Sequence, residues 1–330
     1  MLQLHNSTPF AANMALFPNE DAIDTLYIIV RATFNISSKW TLVDEQPPPL
    51  EADIYWADPE TSSIKYASDY HTGKPSTDVV VVGNAFAPPG KPVQKMNVHF
   101  VLGNMQKAIT VFGDREWRDG NISTPKPFQS MPVIYERAFG GQYKIEDTIQ
   151  SAELRNLVGT GFAGGRKGKE MNGVALPNLE DPAYLITEIK DQPKPACFAF
   201  CSPNWQPRLS YAGTYDENWQ KKRAPYLPLD YDRRFLNMAH PDLIYSGYLQ
   251  GGEPVQIMGM HEKGNLQFSL PYVKLAATVK IGNTEERPIL NMETLLIEPN
   301  DLKLSMVWKA ALPCDKKAQK IETVNISLAR

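Results

Sequence analysis

The amino-acid sequence predicts a mainly β protein: antiparallel, sandwich-like sheets from the N- and C-terminal thirds, a long loop-rich middle and a few short helices. Three observations predict it. Leu26 to Phe34 and Val79 to Val82 are runs of β-branched and aromatic residues, the types that suit a pleated surface. Apolar and polar residues alternate with period two in several later segments, as strands require. Proline is abundant, 27 of 330 residues, or about 8% against a usual ~5%, and proline breaks helices while tolerating turns and sheet edges.

Taken in order, Leu26 to Phe34 reads as a strand that turns at Asn35-Ile36-Ser37-Ser38-Lys39 into Trp40 to Val43. Val79 to Val82 is apolar throughout, as for a strand covered on both faces. Met96, Val98, Phe100 and Leu102 alternate with Asn97, His99 and Val101; Gly103-Asn104 then tolerates the positive φ of a hairpin turn into Lys107 to Phe112. Near the C-terminus, Val255 and Ile257 lead through Glu262-Lys263-Gly264-Asn265 to Leu266, Phe268 and Leu270. Val273 to Ile281 alternates up to Gly282-Asn283, and Leu290 to Ile297, Leu302 to Trp308 and Val324 to Leu328 complete the strands. The middle, about Gly113 to Gly251, is rich in Pro, Gly, Trp and Tyr, with short helices expected near Thr148 to Leu157, Tyr215 to Arg223 and Asp232 to Ala239. Long backbone without periodicity needs its amides satisfied locally, and its aromatic content argues against disorder. The chain thus reads as one elaborated domain over 1–330, with N-terminal strands over 1–113, a loop-rich segment over 114–250 and C-terminal strands over 251–330.

Composition narrows function. Net charge is −3, from 34 Lys and Arg against 37 Asp and Glu, so no field of one sign draws in nucleic acid. The basic run Gly165-Arg166-Lys167-Gly168-Lys169 reads as a solvated loop. The start, Met1 to Asn6, lacks a charged region followed by an apolar stretch, so no secretory signal is expected. No apolar run approaches the ~20 residues that cross a bilayer. With three cysteines a disulfide framework is not expected. A cytoplasmic location without membrane insertion follows as the expectation, and the sequons starting at Asn6, Asn35, Asn121 and Asn325 read as chance.

No cofactor or metal is expected. Gly159-Thr160-Gly161-Phe162-Ala163-Gly164 matches G-x-G-x-x-G, but a dinucleotide site needs a strand before it and a helix after it. Cys197 and Cys201 are too widely spaced for a zinc pair, and His5, His71, His99, His240 and His261 are scattered, so buried inert thiols are expected. Glu136 beside Arg137 reads as an ion pair, and Asp216 as the cap of a short helix toward Trp219. A carbohydrate-active β-sandwich enzyme using Glu136 or Asp216 is the rival reading; it requires the two carboxyls about 5–10 Å apart in one cleft. Tyr135, Phe139, Trp205, Tyr215 and Trp219, with Arg137 and Arg208 as charged anchors, are either core beneath the loops or a protein-binding surface, because Trp, Tyr and Arg dominate binding hot spots.

Five segments carry more specific information: Tyr135-Glu136-Arg137-Ala138-Phe139-Gly140-Gly141, Asn156 to Phe162, Leu176 to Pro182, Trp205-Gln206-Pro207-Arg208 and Gly213 to Trp219. Together with Asp78 to Gly83, Val111 to Arg115 and Gly251-Gly252-Glu253-Pro254, they resemble a bacterial family known as a domain of unknown function. Its genes lie beside those for the VgrG spike, PAAR tip proteins and toxic effectors of the type VI secretion system. The resemblance runs from Asn6-Ser7-Thr8-Pro9-Phe10 to about Leu270; Leu157 stands where the family tends to have proline, and Cys197 and Cys201 look peculiar to this chain. The resemblance implies a cytoplasmic adaptor or chaperone that helps load an effector, often one with a PAAR or Rhs part, onto the spike. It implies no catalysis and no cofactor. A structural spike component is the further alternative, which would be secreted with the effector.

Overall fold

A computed structural model describes residues 2–329. The strands of its three larger sheets are, in chain order, β1 (Gln3–Asn6), β2 (Ala11–Pro18), β3 (Asp24–Asn35), β4 (Asp78–Val81), β5 (Lys95–Leu102), β6 (Met105–Phe112), β7 (Leu179–Glu180), β8 (Pro254–Met258), β9 (Leu266–Ser269), β10 (Leu275–Ile281), β11 (Thr284–Glu286), β12 (Asn291–Glu298), β13 (Lys303–Pro313) and β14 (Ile321–Leu328). The protein is mainly β and its sheets are mostly antiparallel. The largest sheet has the order β2-β3-β13-β12-β4, with Thr41–Leu42 beside β3; a second runs β7-β6-β5-β8-β9, and a third β1-β14-β10-β11.

The two terminal thirds do not build separate sheets. β3 pairs with β13 along its whole length, from Asn35↔Lys303 to Thr25↔Pro313. β4 lies parallel to β12, and β1 parallel to β14. Interleaving of this kind leaves one contiguous apolar cluster that includes residues of all three sheets. Ala196 to Cys201, inside the loop-rich middle, is fully buried within it. Val81 donates its amide to Phe198 O at 3.0 Å, and the Phe198 ring lies 6.3 Å from Phe100 of β5, so this irregular stretch joins the first sheet to the second.

Every residue of β3 from Thr25 to Phe34 is buried, for two different reasons. Leu26, Ile28, Val30, Ala32 and Phe34 face the apolar cluster. The opposite face carries Tyr27, Arg31 and Thr33, with Ser305 and Lys309 of β13 and Glu293 and Thr294 of β12, all buried. Segment 43–77 covers it. Gln46 brackets the Thr33 amide and carbonyl at 2.8 and 2.9 Å, Asp69 meets Arg31 at 3.4 Å, and Lys309 donates to His71 O at 3.0 Å. A strand with period-two burial on both faces therefore separates an apolar core from a buried polar layer.

The middle departs from expectation at two of its three helices. Thr148 to Leu157 is not helical: Thr148–Ala152 forms a hairpin with Gln142–Ile145, because Thr148, Ile149 and the tight turn at Glu146 and Asp147, both at positive φ, favour a strand return. Asp232 to Ala239 holds only a 3-10 turn, Arg233–Leu236. Residues 217–222 do form a helix, α1 (Glu217–Lys222), capped by Asp216 Oδ1, which accepts from the Trp219 amide at 2.8 Å. Among the described residues no helix is long and apolar enough to cross a membrane.

Candidate binding surfaces

Four of the distinctive segments converge on one construction. Asn156 is fully buried and its Nδ2 donates to Tyr135 O at 2.8 Å and Phe139 O at 3.1 Å, clamping the 3-10 turn Tyr135–Arg137 and the residues after it. Phe139–Gly140 then pairs in parallel with Thr160–Gly161. The glycines are required by proximity: a Cβ on Gly140 would sit 2.3 Å from Asn156 O, and one on Gly159 2.4 Å from Asn156 Nδ2. From the other side, Asn178 Nδ2 donates to Phe112 O and to Asp114 Oδ1, both at 3.1 Å.

These walls enclose an open cleft of about 700 Å³. Arg115, Arg118, Lys126 and Arg137 line it together with Asp114, Glu116 and Glu136. Arg115 is buried, lies over the Phe112 ring at 3.6 Å and is ion-paired with Glu180. Burial lowers the Arg115 pKa and raises that of Glu180, each opposed by the other's charge. Glu136 does not pair with Arg137. It accepts from the Ser63 amide at 2.7 Å and hydroxyl at 2.8 Å, while Arg137 donates to Asn178 Oδ1 at 3.0 Å and meets Asp114 at 3.3 Å. The expected ion pair fails because the 3-10 turn sends neighbouring side chains in different directions.

Asp216 lines a different cleft, with Trp219, Arg223 and Leu229. Glu136 holds Ser63 and Asp216 caps α1, so the pairing that a two-carboxylate glycosidase needs is not formed by them.

The seven residues expected at a partner surface divide. Tyr135, Phe139, Trp205 and Arg208 are buried. Tyr135 packs edge-on to Trp205 at 5.1 Å and its hydroxyl meets Cys201 Sγ at 2.9 Å; Arg208 donates to Phe235 O at 2.7 Å and Cys201 O at 2.8 Å. Each of these four is drawn inward by backbone acceptors or by an apolar neighbour, and Tyr135 and Arg208 also line cavities. Arg137, Tyr215 and Trp219 reach solvent, Arg137 in the cleft and the other two on a lobe formed by 213–231.

This lobe is rigidly built. The Tyr215 and Trp219 rings meet edge-on at 4.7 Å, Trp219 Nε1 donates to Tyr226 O at 2.8 Å, and Asp230 accepts from the Thr214 amide and hydroxyl at 3.0 and 2.7 Å. It nevertheless leaves Tyr215 54% exposed, Tyr226 40% and Leu229 88%. Tyr226 and Leu229 were not singled out by the sequence. The signal present was the apolar stretch Pro225-Tyr226-Leu227-Pro228-Leu229, whose prolines forbid a helix that would bury it.

The remaining motifs are accounted for locally. Only a 3-10 turn, Gly168–Met171, follows Gly159 to Gly164, and Arg166 donates back to Ala163 O and Phe162 O, both at 2.8 Å. Cys197, Cys201 and Cys314 are buried free thiols, and burial pushes Cys197 up to about 12 and Cys201 to about 11. Among the described residues no cluster of His, Cys, Asp and Glu has metal-ligating geometry.

Two buried histidines give a pH prediction. Burial first, then the nearby lysines, holds His71 well below its ordinary range and His240 at about 4. Both are neutral when folded and titrate near 6.5 when unfolded, so unfolding takes up protons below that pH. Their contribution is full above about pH 6.5 and falls on acidification below it; for His240 it is lost as pH falls toward 4, and the loss reaches about 2 kcal/mol by pH 5. Glu180 and Glu293, with raised pKa values, act in the opposite sense. Urea titrations of wild type and His240→Gln at pH 7.5 and 5 isolate the effect: the variant is expected to lose less stability on acidification, and parallel losses would refute it.

The architecture defines a class: a mainly β protein of three interleaved sheets, with a long ordered middle that presents a charged cleft and an aromatic lobe. Residues 21–309 match the family described as "Uncharacterized protein conserved in bacteria (DUF2169)". The match covers far more than half of the chain, which belongs to this family. No curated protein and no solved structure matches the chain.

Proposed function

We propose that this protein is a non-catalytic, cytoplasmic adaptor or chaperone of a bacterial type VI secretion system, which binds a PAAR- or Rhs-linked effector and helps load it on the VgrG spike. The observation that supports partner binding is the lobe 213–231, where Tyr215, Tyr226 and Leu229 are exposed on a rigid support. Exposed apolar groups held in place by a hydrogen-bonded frame mark protein-interaction sites. The charged cleft is a separate surface that offers polar and charged groups of both signs. The type VI assignment rests on the resemblance of the segments quoted above.

Co-expression with the protein encoded beside this gene tests the reading. A stable complex is expected, and Leu229→Asp is expected to weaken it by about 2 kcal/mol, roughly thirtyfold. The same substitution should leave the unfolding midpoint within about 0.5 kcal/mol of wild type, since the side chain is solvated. Two folded proteins that do not associate, or a complex indifferent to Leu229→Asp and Tyr215→Ala, would remove the support.

A further inference from the structure

Arg208 is a buried cation with an incomplete set of partners. Its Nε and Nη1 donate to the carbonyls of Phe235 and Cys201. Its Nη2 has no protein acceptor among the described residues, and no carboxylate forms an ion pair with it. Asp78 is the strongest acidic influence on it, but Asp78 is already held by Lys74 at 2.7 Å, Asn237 at 2.9 Å and the Met238 amide at 2.8 Å. A guanidinium taken out of water without a counter-ion is costly. Its open edge can donate a charge-assisted hydrogen bond to an arriving anion.

The side chain lines a cavity of about 330 Å³, walled by Pro207, Pro241, Ile244, Tyr211 and Tyr245. Arg234 also lines this cavity but is neutralised by Asp232 at 2.6 Å. A second cavity of about 340 Å³, containing Tyr135 and His240, shares Cys201, Pro207 and Pro241 with the first. The two adjoin as a groove with mostly apolar walls, in which Arg208 is, among the described residues, the buried cation without an ion pair; Lys194, likewise without one, is exposed on the lining of the second cavity.

We propose that this groove binds an extended polypeptide segment carrying a carboxylate, from an Asp or Glu side chain or a chain terminus, which pairs with Arg208 while a neighbouring apolar side chain occupies the cavity beside Cys201. Charge complementarity selects the occupant. The buried guanidinium balances one carboxylate, whereas a dianionic phosphate would carry a second charge against proline and aromatic walls, with only the exposed Lys194 to offset it. Apolar walls favour a peptide over a free small acid, because side chains next to the carboxylate gain from burial. The inference deepens the adaptor reading by giving the chemistry of one contact, at a place separate from the aromatic lobe.

The test is selection of a random heptapeptide display library on the purified protein, followed by affinity measurements on synthetic copies of the selected peptides. Selected sequences are expected to carry an acidic residue beside an apolar one. Amidation of that acid (Asp→Asn or Glu→Gln), or blocking of a selected free terminus, should weaken binding about tenfold or more. Arg208→Met should do the same, but it also removes two hydrogen bonds that hold the fold. Ser246→Trp, at an exposed residue of the cavity mouth, obstructs the groove without touching Arg208 and should weaken binding equally. Peptides that lack an acid, that bind equally well as amides, that ignore Ser246→Trp, or that millimolar inorganic phosphate displaces more readily than acetate would overturn the proposal, as would recovery of no peptide. Leu229→Asp should leave peptide affinity unchanged, so failure at the lobe and failure at the groove are separately visible.

Discussion

Gly140→Ala is expected to destabilise the protein by roughly 3–5 kcal/mol, combining backbone strain with overpacking. Gly140 sits at φ +153°, where side-chain-bearing residues rarely go, and the added carbon would lie 2.3 Å from Asn156 O and 2.8 Å from Asn156 Cβ. Neither neighbour can give way, because Asn156 is clamped to Tyr135 O and Phe139 O and accepts from the Gly141 amide at 2.8 Å. Gly165→Ala is the control. Gly165 has φ +92° with nothing within 4 Å of the new carbon, so it carries only the conformational cost, about 1 kcal/mol. Guanidinium unfolding of both variants separates the two contributions; equal midpoints would show that the clamp around Asn156 yields. Because the clamp holds the turn and strand that carry Glu136, Arg137 and Thr160, any Gly140→Ala protein that remains folded should also show a disturbed charged cleft.

The local readings were legible because they rest on short-range rules. The hairpin at Gly103-Asn104, the alternation of β10 up to Gly282-Asn283 and the Asp216 cap all follow from neighbours a few residues away. What the sequence did not show depends on distance along the chain. Nothing near Val79 specifies that it lies beside Leu295, and nothing near Leu26 specifies Leu312. The buried polar face of β3 was hidden for the same reason: nothing near Tyr27, Arg31 and Thr33 specifies that segment 43–77 closes over them. The sequence also does not show which aromatics and arginines meet backbone acceptors far along the chain. Trp205 and Arg208 turned inward, while Leu229, an unremarkable residue by type, was left outside by the prolines around it.

That buried polar face carries the second large effect. Asp78 and Lys74 are almost wholly excluded from solvent, 0% and 1% exposed at the side chain, and meet at 2.7 Å. Removing one member of such a pair strands the other charge, so Asp78→Ala is expected to cost about 3–5 kcal/mol. The pair is not isolated: Lys74 also donates to Thr294 Oγ1 at 2.8 Å, and Asp78 accepts from Asn237 and from the Met238 amide. Adding Lys74→Met to Asp78→Ala should therefore recover part of the loss, because it withdraws the unpaired ammonium. It cannot recover all of it, since the Asn237 and Met238 donors remain without their acceptor, at roughly 1–3 kcal/mol. The expected order of stability is wild type, then the double variant, then Asp78→Ala, measured as guanidinium midpoints at constant pH. A double variant no more stable than Asp78→Ala would mean that Lys74 finds water or another acceptor once Asp78 is gone, and that the layer beneath segment 43–77 tolerates a free charge.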